Sequence, residues 1–290
     1  MKDEFTRSWI MKNALEEIQN YDPGVLTLRA LHYRMVSRGM TNTIRHYKRV
    51  VSAMIQARWD GIVPFETFSD HDREKLGVTQ YTPTEVEEEA EYAKKQIKAW
   101  MTNYSKNTWE NQDHYVEVWI EKKALQGVFQ PICQELDVAL CPCKGYPSLT
   151  FLNDAKNRFY SSENYWGKKP VIIYFGDYDP SGEDIPRSIK DNLYRMGMDV
   201  EVDRRMLLED QVVEWKLPPA PAKKTDSRTA NWDGLGQVEL DAVEPTMLQD
   251  IVRESILEYR DQDKYERLQE IEEEERKEYR IQLKEYVNSL

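Results

Sequence analysis

The stretch VIIYFGDYDPSG, residues 171–182, decides the fold. Six residues of β-branched, aromatic and glycine character read as a hydrophobic strand. The strand runs straight into Asp177 and Asp179, with Pro180 and Gly182 behind them. Two like charges spaced i, i+2 repel, so something must offset them. Working outward, VEVWI (116–120) is a strand, KALQGVFQPICQEL (123–136) a helix and VALC (138–141) a strand. YPSLTFLNDAKNRFY (146–160) is a helix, GEDIPRSIKDNLYRMG (182–197) another, and MDVEVDRRML (198–207) a further strand. This alternation predicts an α/β fold: a mostly parallel sheet with helices on both faces. Ligands of such sheets gather at the carboxyl ends of the strands. Asp177 and Asp179 sit at one such end, and Glu121, directly after VEVWI, sits at another. Converging carboxylates are hard oxygen ligands that suit Mg²⁺, and the cation would offset their repulsion. Two plainer uses stand beside this one: Asp with Pro-Gly is good turn chemistry, and Glu121 could cap the following helix.

The net charge of −12 argues at first sight against nucleic acid as a partner. The average hides an asymmetry. Between Pro23 and Trp59 there is no Asp or Glu, while Arg29, Arg34, Arg38, Arg45, Lys48, Arg49 and Arg58 lie there. A basic module in an acidic protein is a footprint of DNA or RNA binding; a solvated basic face is the alternative. Residues 5–20 read as a helix, Thr27 caps a second that Gly39 ends, and Asn42 or Thr43 caps a third through Arg58. Ile44, Tyr47, Val51, Met54 and Ile55 form the apolar stripe of that third helix, with Arg45, Arg49, Ser52 and Gln56 on another side. GIVPFETF (61–68) offers a short strand-rich wing, and together these predict a winged helix-turn-helix with residues 43–58 as its recognition-type helix.

The expected organisation is a winged-helix DNA-binding domain over 1–78, a helical connector over 79–112, a sheet domain over 113–260 and a charged C-terminal helix over 261–290. The Pro-rich stretch 212–234 reads as a mobile loop. No signal-type apolar run opens the chain and no stretch approaches a membrane span, so a soluble, cytoplasmic, nucleoid-associated protein is expected. Cys133, Cys141 and Cys143 lack zinc-ligand spacing and read as free thiols of a reducing compartment.

Four segments together carry a resemblance. VWIEKKALQGVFQPI, CKGYPSLTFLNDAKNRF, VIIYFGDYDPSGEDI and QVELDAVEP occur in the order seen in the A subunit of topoisomerase VI and the related meiotic double-strand-break proteins. The pattern is Glu-Lys after the first strand, Lys-Gly-Tyr-Pro, Asp-x-Asp-Pro-x-Gly, and a later Glu-Leu-x-Ala segment. The resemblance implies a Toprim (Rossmann-like) domain behind a winged helix that carries a nucleophilic tyrosine in an Arg-x-x-Tyr-Tyr context. Here RALHY, residues 29–33, matches at Arg29 and Tyr33, with His32 in place of the first tyrosine. On an ideal helix Leu28, Leu31 and Met35 share a face and Tyr33 points almost directly away from them, with Arg29 one turn earlier on its side.

The implied chemistry is Mg²⁺-dependent cleavage of double-stranded DNA, in which Tyr33 forms a 5′-phosphotyrosyl link. Glu121, Asp177 and Asp179 are the implied metal ligands, Arg29 an assistant to Tyr33, and Arg45, Lys48, Arg49, Lys122 and Lys144 contacts to DNA. His32 is a candidate proton acceptor by position. The resemblance also implies a homodimer in which the tyrosine of one protomer serves the metal site of the other. About 22 residues precede the resemblance, where the topoisomerase subunits carry segments that dock an ATPase B subunit, and there is no GxxxxGK[ST]. The layout is closest to the stand-alone Mini-A-type homologues, and an ATPase partner stays open. Two other functions remain: a Toprim metal nuclease that uses water, with Tyr33 structural, and a DNA-binding protein without turnover.

Overall fold

The computed structural model describes residues 4–22, 24–68, 85–219 and 236–289. The chain divides into two compact units, residues 1–73 with 114–259, and residues 74–113 with 260–290. The boundary expected at residue 78 falls outside the described residues.

The first unit opens with three helices, α1 (Arg7–Ile18), α2 (Leu28–Ser37) and α3 (Ile44–Trp59). Each starts on a threonine whose hydroxyl accepts a hydrogen bond from the first turn: Thr6 from Trp9, Thr27 from Ala30 and Thr43 from His46. Ile10, Ala14, Leu31, Met35, Val50 and Met54 meet in their common core. The apolar stripe of α3 is not the expected one. His46, Val50, Ala53, Met54 and Ala57 face inward, while Ile44 and Ile55 are exposed. Ala53 and Ala57 lie in the common core, and His46 is buried against Thr41 and the ring of Phe5. The expected strand-rich wing is also different: residues Phe65–Thr67 form a 3₁₀ turn, and among the described residues Phe68 makes an isolated bridge to Leu26. Pro64, without a backbone N–H, suits the turn better than a ladder.

The same unit continues as an α/β layer. Strands β1 (His114–Ile120), β2 (Ala139–Pro142), β3 (Lys169–Phe175) and β4 (Glu201–Met206) form one all-parallel sheet in the order β2-β1-β3-β4. Between them run α5 (Gln126–Glu135), α6 (Leu149–Trp166) and α7 (Pro180–Arg195); α8 (Glu209–Glu214) and α9 (Pro245–Leu257) follow. β1 and β3 are the inner strands, in register from His114 opposite Lys169 to Ile120 opposite Phe175. On one face Trp119, Ile172 and Tyr174 pack with Leu152 and Phe159 of α6 and Ile185 and Ile189 of α7. On the other, Phe175 meets Phe129 of α5 edge-on at 5.1 Å. From β1 the chain steps outward to β2, then returns past β1 to β3, so the strand order reverses between β1 and β3. Parallel sheets leave a crevice at that point.

The second unit holds α4 (Val86–Trp100) and α10 (Gln262–Ser289). Lys106 N donates to Glu272 (3.0 Å), Arg276 Nε to the Tyr104 carbonyl (3.0 Å), and the rings of Tyr104 and Tyr279 lie 5.3 Å apart. Among the described residues no helix is long and apolar enough to cross a membrane, and all three cysteines are free thiols.

Candidate active site

The adjacency of β1 and β3 sets the geometry. Glu121 N continues the ladder by donating to Phe175 O at 2.9 Å, which brings the Glu121 side chain beneath the turn that leaves β3. Asp177 N then donates to Glu121 Oε2 at 2.9 Å. Asp179 caps α7, accepting from Gly182 N at 2.7 Å, with Pro180 at the first helical position. Asp179 thus serves the turn, and Glu121 meets that turn through the Asp177 N–H. Asp177 and Asp179 are buried, at 2% and 8% exposure. Burial, then the negative charge of Asp177 beside it, holds the Glu121 carboxyl up at about 7.

A segment with no assigned role in the sequence reading closes the site. Tyr178 and Val238 exchange backbone hydrogen bonds at 2.9 Å each, and Leu240 N donates to Asp177 Oδ1 at 2.8 Å. This lays Glu239 and Asp241, both buried, beside the DxD turn. Lys122, expected to face DNA, turns into this cluster instead. Its ammonium lies 3.0 Å from Asp177, 3.0 Å from Asp241 and 3.4 Å from Glu239. Those three carboxylates raise its affinity for its proton although burial works against them. On the far side Arg204 Nη2 donates to the carbonyl of Asp177 at 3.1 Å. The QVELDAVEP stretch carried a signal, an acidic pair at i, i+2 like that of the DxD turn, but its partners lie far away in sequence.

The same segment covers α2. Thr27 Oγ1 donates to Asp241 Oδ1 (3.2 Å), Arg29 pairs with Glu239 (2.8 Å), Arg34 donates to Ala242 O (3.0 Å) and Tyr21 to Glu244 (3.0 Å). Tyr33 does point away from the α1–α3 core, but that side is covered, and its exposure is 1%. Its hydroxyl has no hydrogen-bond partner. Burial, then the charge of Glu239, pushes that hydroxyl well above its usual range, while Arg29 and Lys122 pull it down. His32 spends Nε2 on Asn42 at 3.2 Å, and burial lowers its affinity for a proton.

Arg45 and Lys48 are exposed on α3 and Arg49 is half-buried there. Lys144 is exposed in a left-handed turn with φ of 55°; Gly145 after it donates to Glu121 O at 3.1 Å, so the Lys-Gly-Tyr-Pro stretch lies at the end of β1.

A divalent cation can be weighed against these donors. Among the described residues no three His, Cys, Asp or Glu side chains form a ready cage for a metal ion. The donor chemistry fits all the same. The donors are hard oxygens, burial and the charge of Asp177 together raise the Glu121 carboxyl, and the Tyr174 hydroxyl at the end of β3 is buried without a partner. A Cβ added at Gly176 would meet both Tyr174 Oη (2.8 Å) and Glu121 Oε2 (2.9 Å), so a glycine keeps these groups close. Compared with protein-family models, curated proteins and solved structures, the chain matches none.

Proposed function

We propose that this chain is a magnesium-dependent DNA-cleaving transesterase of the topoisomerase VI A type, built from a winged helix-turn-helix and a Toprim domain. What supports the reading is one observation: Tyr33, Arg29 and the strand-end carboxylates belong to one compact unit, joined through Glu239 and Asp241. In this reading the exposed Arg45 and Lys48, with Arg49 and Lys144, hold the DNA backbone. Tyr33 Oη attacks the phosphorus, its proton passes to an acceptor, and the 3′-oxygen leaves with a proton from solvent. The products are a 5′-phosphotyrosyl bond and a 3′-hydroxyl. Arg29 steadies the phosphate charge. Glu121, Asp177 and Asp179 would hold Mg²⁺, which supplies charge stabilisation at the phosphate and the leaving oxygen. Tyr33 is covered by its own chain, so the 239–244 segment must part from α2 before attack. A homodimer, in which that tyrosine turns to the partner's carboxylates, belongs to the proposal.

The burial of Tyr33 also favours a second reading, a Toprim nuclease in which water is the nucleophile and Tyr33 is structural. Supercoiled plasmid incubated with Mg²⁺, quenched in detergent and run with and without protease separates the two. The transesterase predicts nicked or linear DNA that stays protein-bound until proteolysis and is lost in Tyr33→Phe and Asp177→Ala. Protein-free ends that persist in Tyr33→Phe would overturn it in favour of the nuclease.

A further inference from the structure

We infer that Lys122 is a built-in cation that occupies the acid cluster, and that a divalent cation enters only by displacing its ammonium. The inference rests on the metal-dependent reading above and adds to it how binding is gated. Both oxygens of Asp177 are engaged, Oδ1 by Leu240 N at 2.8 Å and Oδ2 by Lys122 at 3.0 Å. Magnesium needs a carboxylate oxygen at about 2.0–2.1 Å and an unobstructed octahedron. An ammonium bound to the same carboxylate blocks that approach and repels the incoming charge. Beside the cluster the Tyr33 hydroxyl is buried without a hydrogen-bond partner, so the cluster is not a finished polar network.

The displacement has a second effect. Lys122 links Asp177 to Glu239 and Asp241, and those two hold Arg29 and Thr27 of α2. When the ammonium leaves, Glu239 and Asp241 lose the cation that keeps them beside Asp177. The segment over Tyr33 is then tied down less firmly. Lys122 is thus a positioning residue: cation entry at the strand ends loosens the cover on the tyrosine.

The full chain is titrated with Mn²⁺, with free ion counted by electron paramagnetic resonance, for wild type, Lys122→Met and Lys122→Arg. Lys122→Met keeps the length of the side chain without its charge and is expected to bind Mn²⁺ at least about tenfold tighter. Lys122→Arg, which keeps the charge, should stay near wild type. A readout on the wild type alone guards against a variant that fails to fold: amine labelling with acetic anhydride, mapped by mass spectrometry. Lys122 should label slowly without Mn²⁺ and several-fold faster once it is bound. Unchanged affinity in a folded Lys122→Met, or unchanged labelling on a wild type that binds Mn²⁺, overturns the inference and leaves the metal reading standing. Absence of Mn²⁺ binding in every variant overturns both.

Discussion

Gly182→Ala inverts an elementary rule. In a helix alanine is worth about 1 kcal/mol more than glycine, so propensity alone predicts a gain. Gly182 lies in the first turn of α7, and a Cβ there would stand 2.1 Å from the carbonyl oxygen of Asp177 and 3.0 Å from its carbonyl carbon. Ordinary contact begins at 3.4 Å, so the Asp177 backbone would have to retreat by more than an ångström. That backbone is pinned: its N–H by Glu121, its carbonyl by Arg204, its side chain by Leu240 N and Lys122. Overpacking of this kind costs about 1–3 kcal/mol, and each hydrogen bond disturbed adds about 1 kcal/mol. A net loss of about 3 kcal/mol or more is expected, read as a lower urea midpoint at unchanged slope, together with loss of Mn²⁺ binding. Lys190→Ala, exposed on the same helix, serves as control and should move stability by less than about 0.5 kcal/mol. A Gly182→Ala protein as stable as wild type, with Mn²⁺ binding intact, would refute the geometry of the turn.

Tyr33→Phe removes a buried hydroxyl that has no partner, so stability should be unchanged or higher by up to about 1 kcal/mol, with any cleavage abolished; a clear loss in a thermal melt would mean the hydroxyl is bonded. Glu117, fully buried in β1, accepts from Tyr115, Trp119 and, bidentately, Arg158 at 2.7 and 3.0 Å. Arg158→Met should cost about 3 kcal/mol by stranding that charge, and Glu117→Leu added to it should recover much of the loss; equal stability of single and double variants would speak against the pair. Glu121, held up at about 7, keeps its proton in the folded state where the unfolded chain has released it from 4.5 upward. Stability therefore falls as pH rises between those values, and a bound cation relieves the fall. The rise in melting temperature on adding Mg²⁺ should be larger at pH 8 than at pH 5.5; an equal rise at both would dissociate Glu121 from the metal.

What the sequence made legible was local. VEVWI and VIIYFG are strands whose β-branched and aromatic residues need covered faces, whereas the helix read from Gly182 begins two residues earlier, at Pro180 with Asp179 as its cap. The α/β order followed from their alternation. Side chains whose partners are remote were not legible. A helical wheel gave the direction of Tyr33, but not that a segment some 200 residues later covers that side. Lys122 read as a surface cation beside a ligand, since its anchor Asp241 lies 119 positions on. On α3 hydrophobicity misled: His46, Ala53 and Ala57 are buried while the larger Ile44 and Ile55 are exposed. At residues 61–68 strand-like composition yielded to Pro64.

The second unit is assembled from two stretches of chain separated by the whole parallel sheet, residues 74–113 and 260–290. On a ribosome the first stretch emerges about 150 residues before its partner, a wait on the order of ten seconds at ordinary elongation rates. Through that interval α4, which has no buried residue even in the finished fold, has nothing to pair with. The sheet can meanwhile close on its own contacts. Synthesis thus imposes an order, with the layer bearing the carboxylates free to close first and the helical unit last.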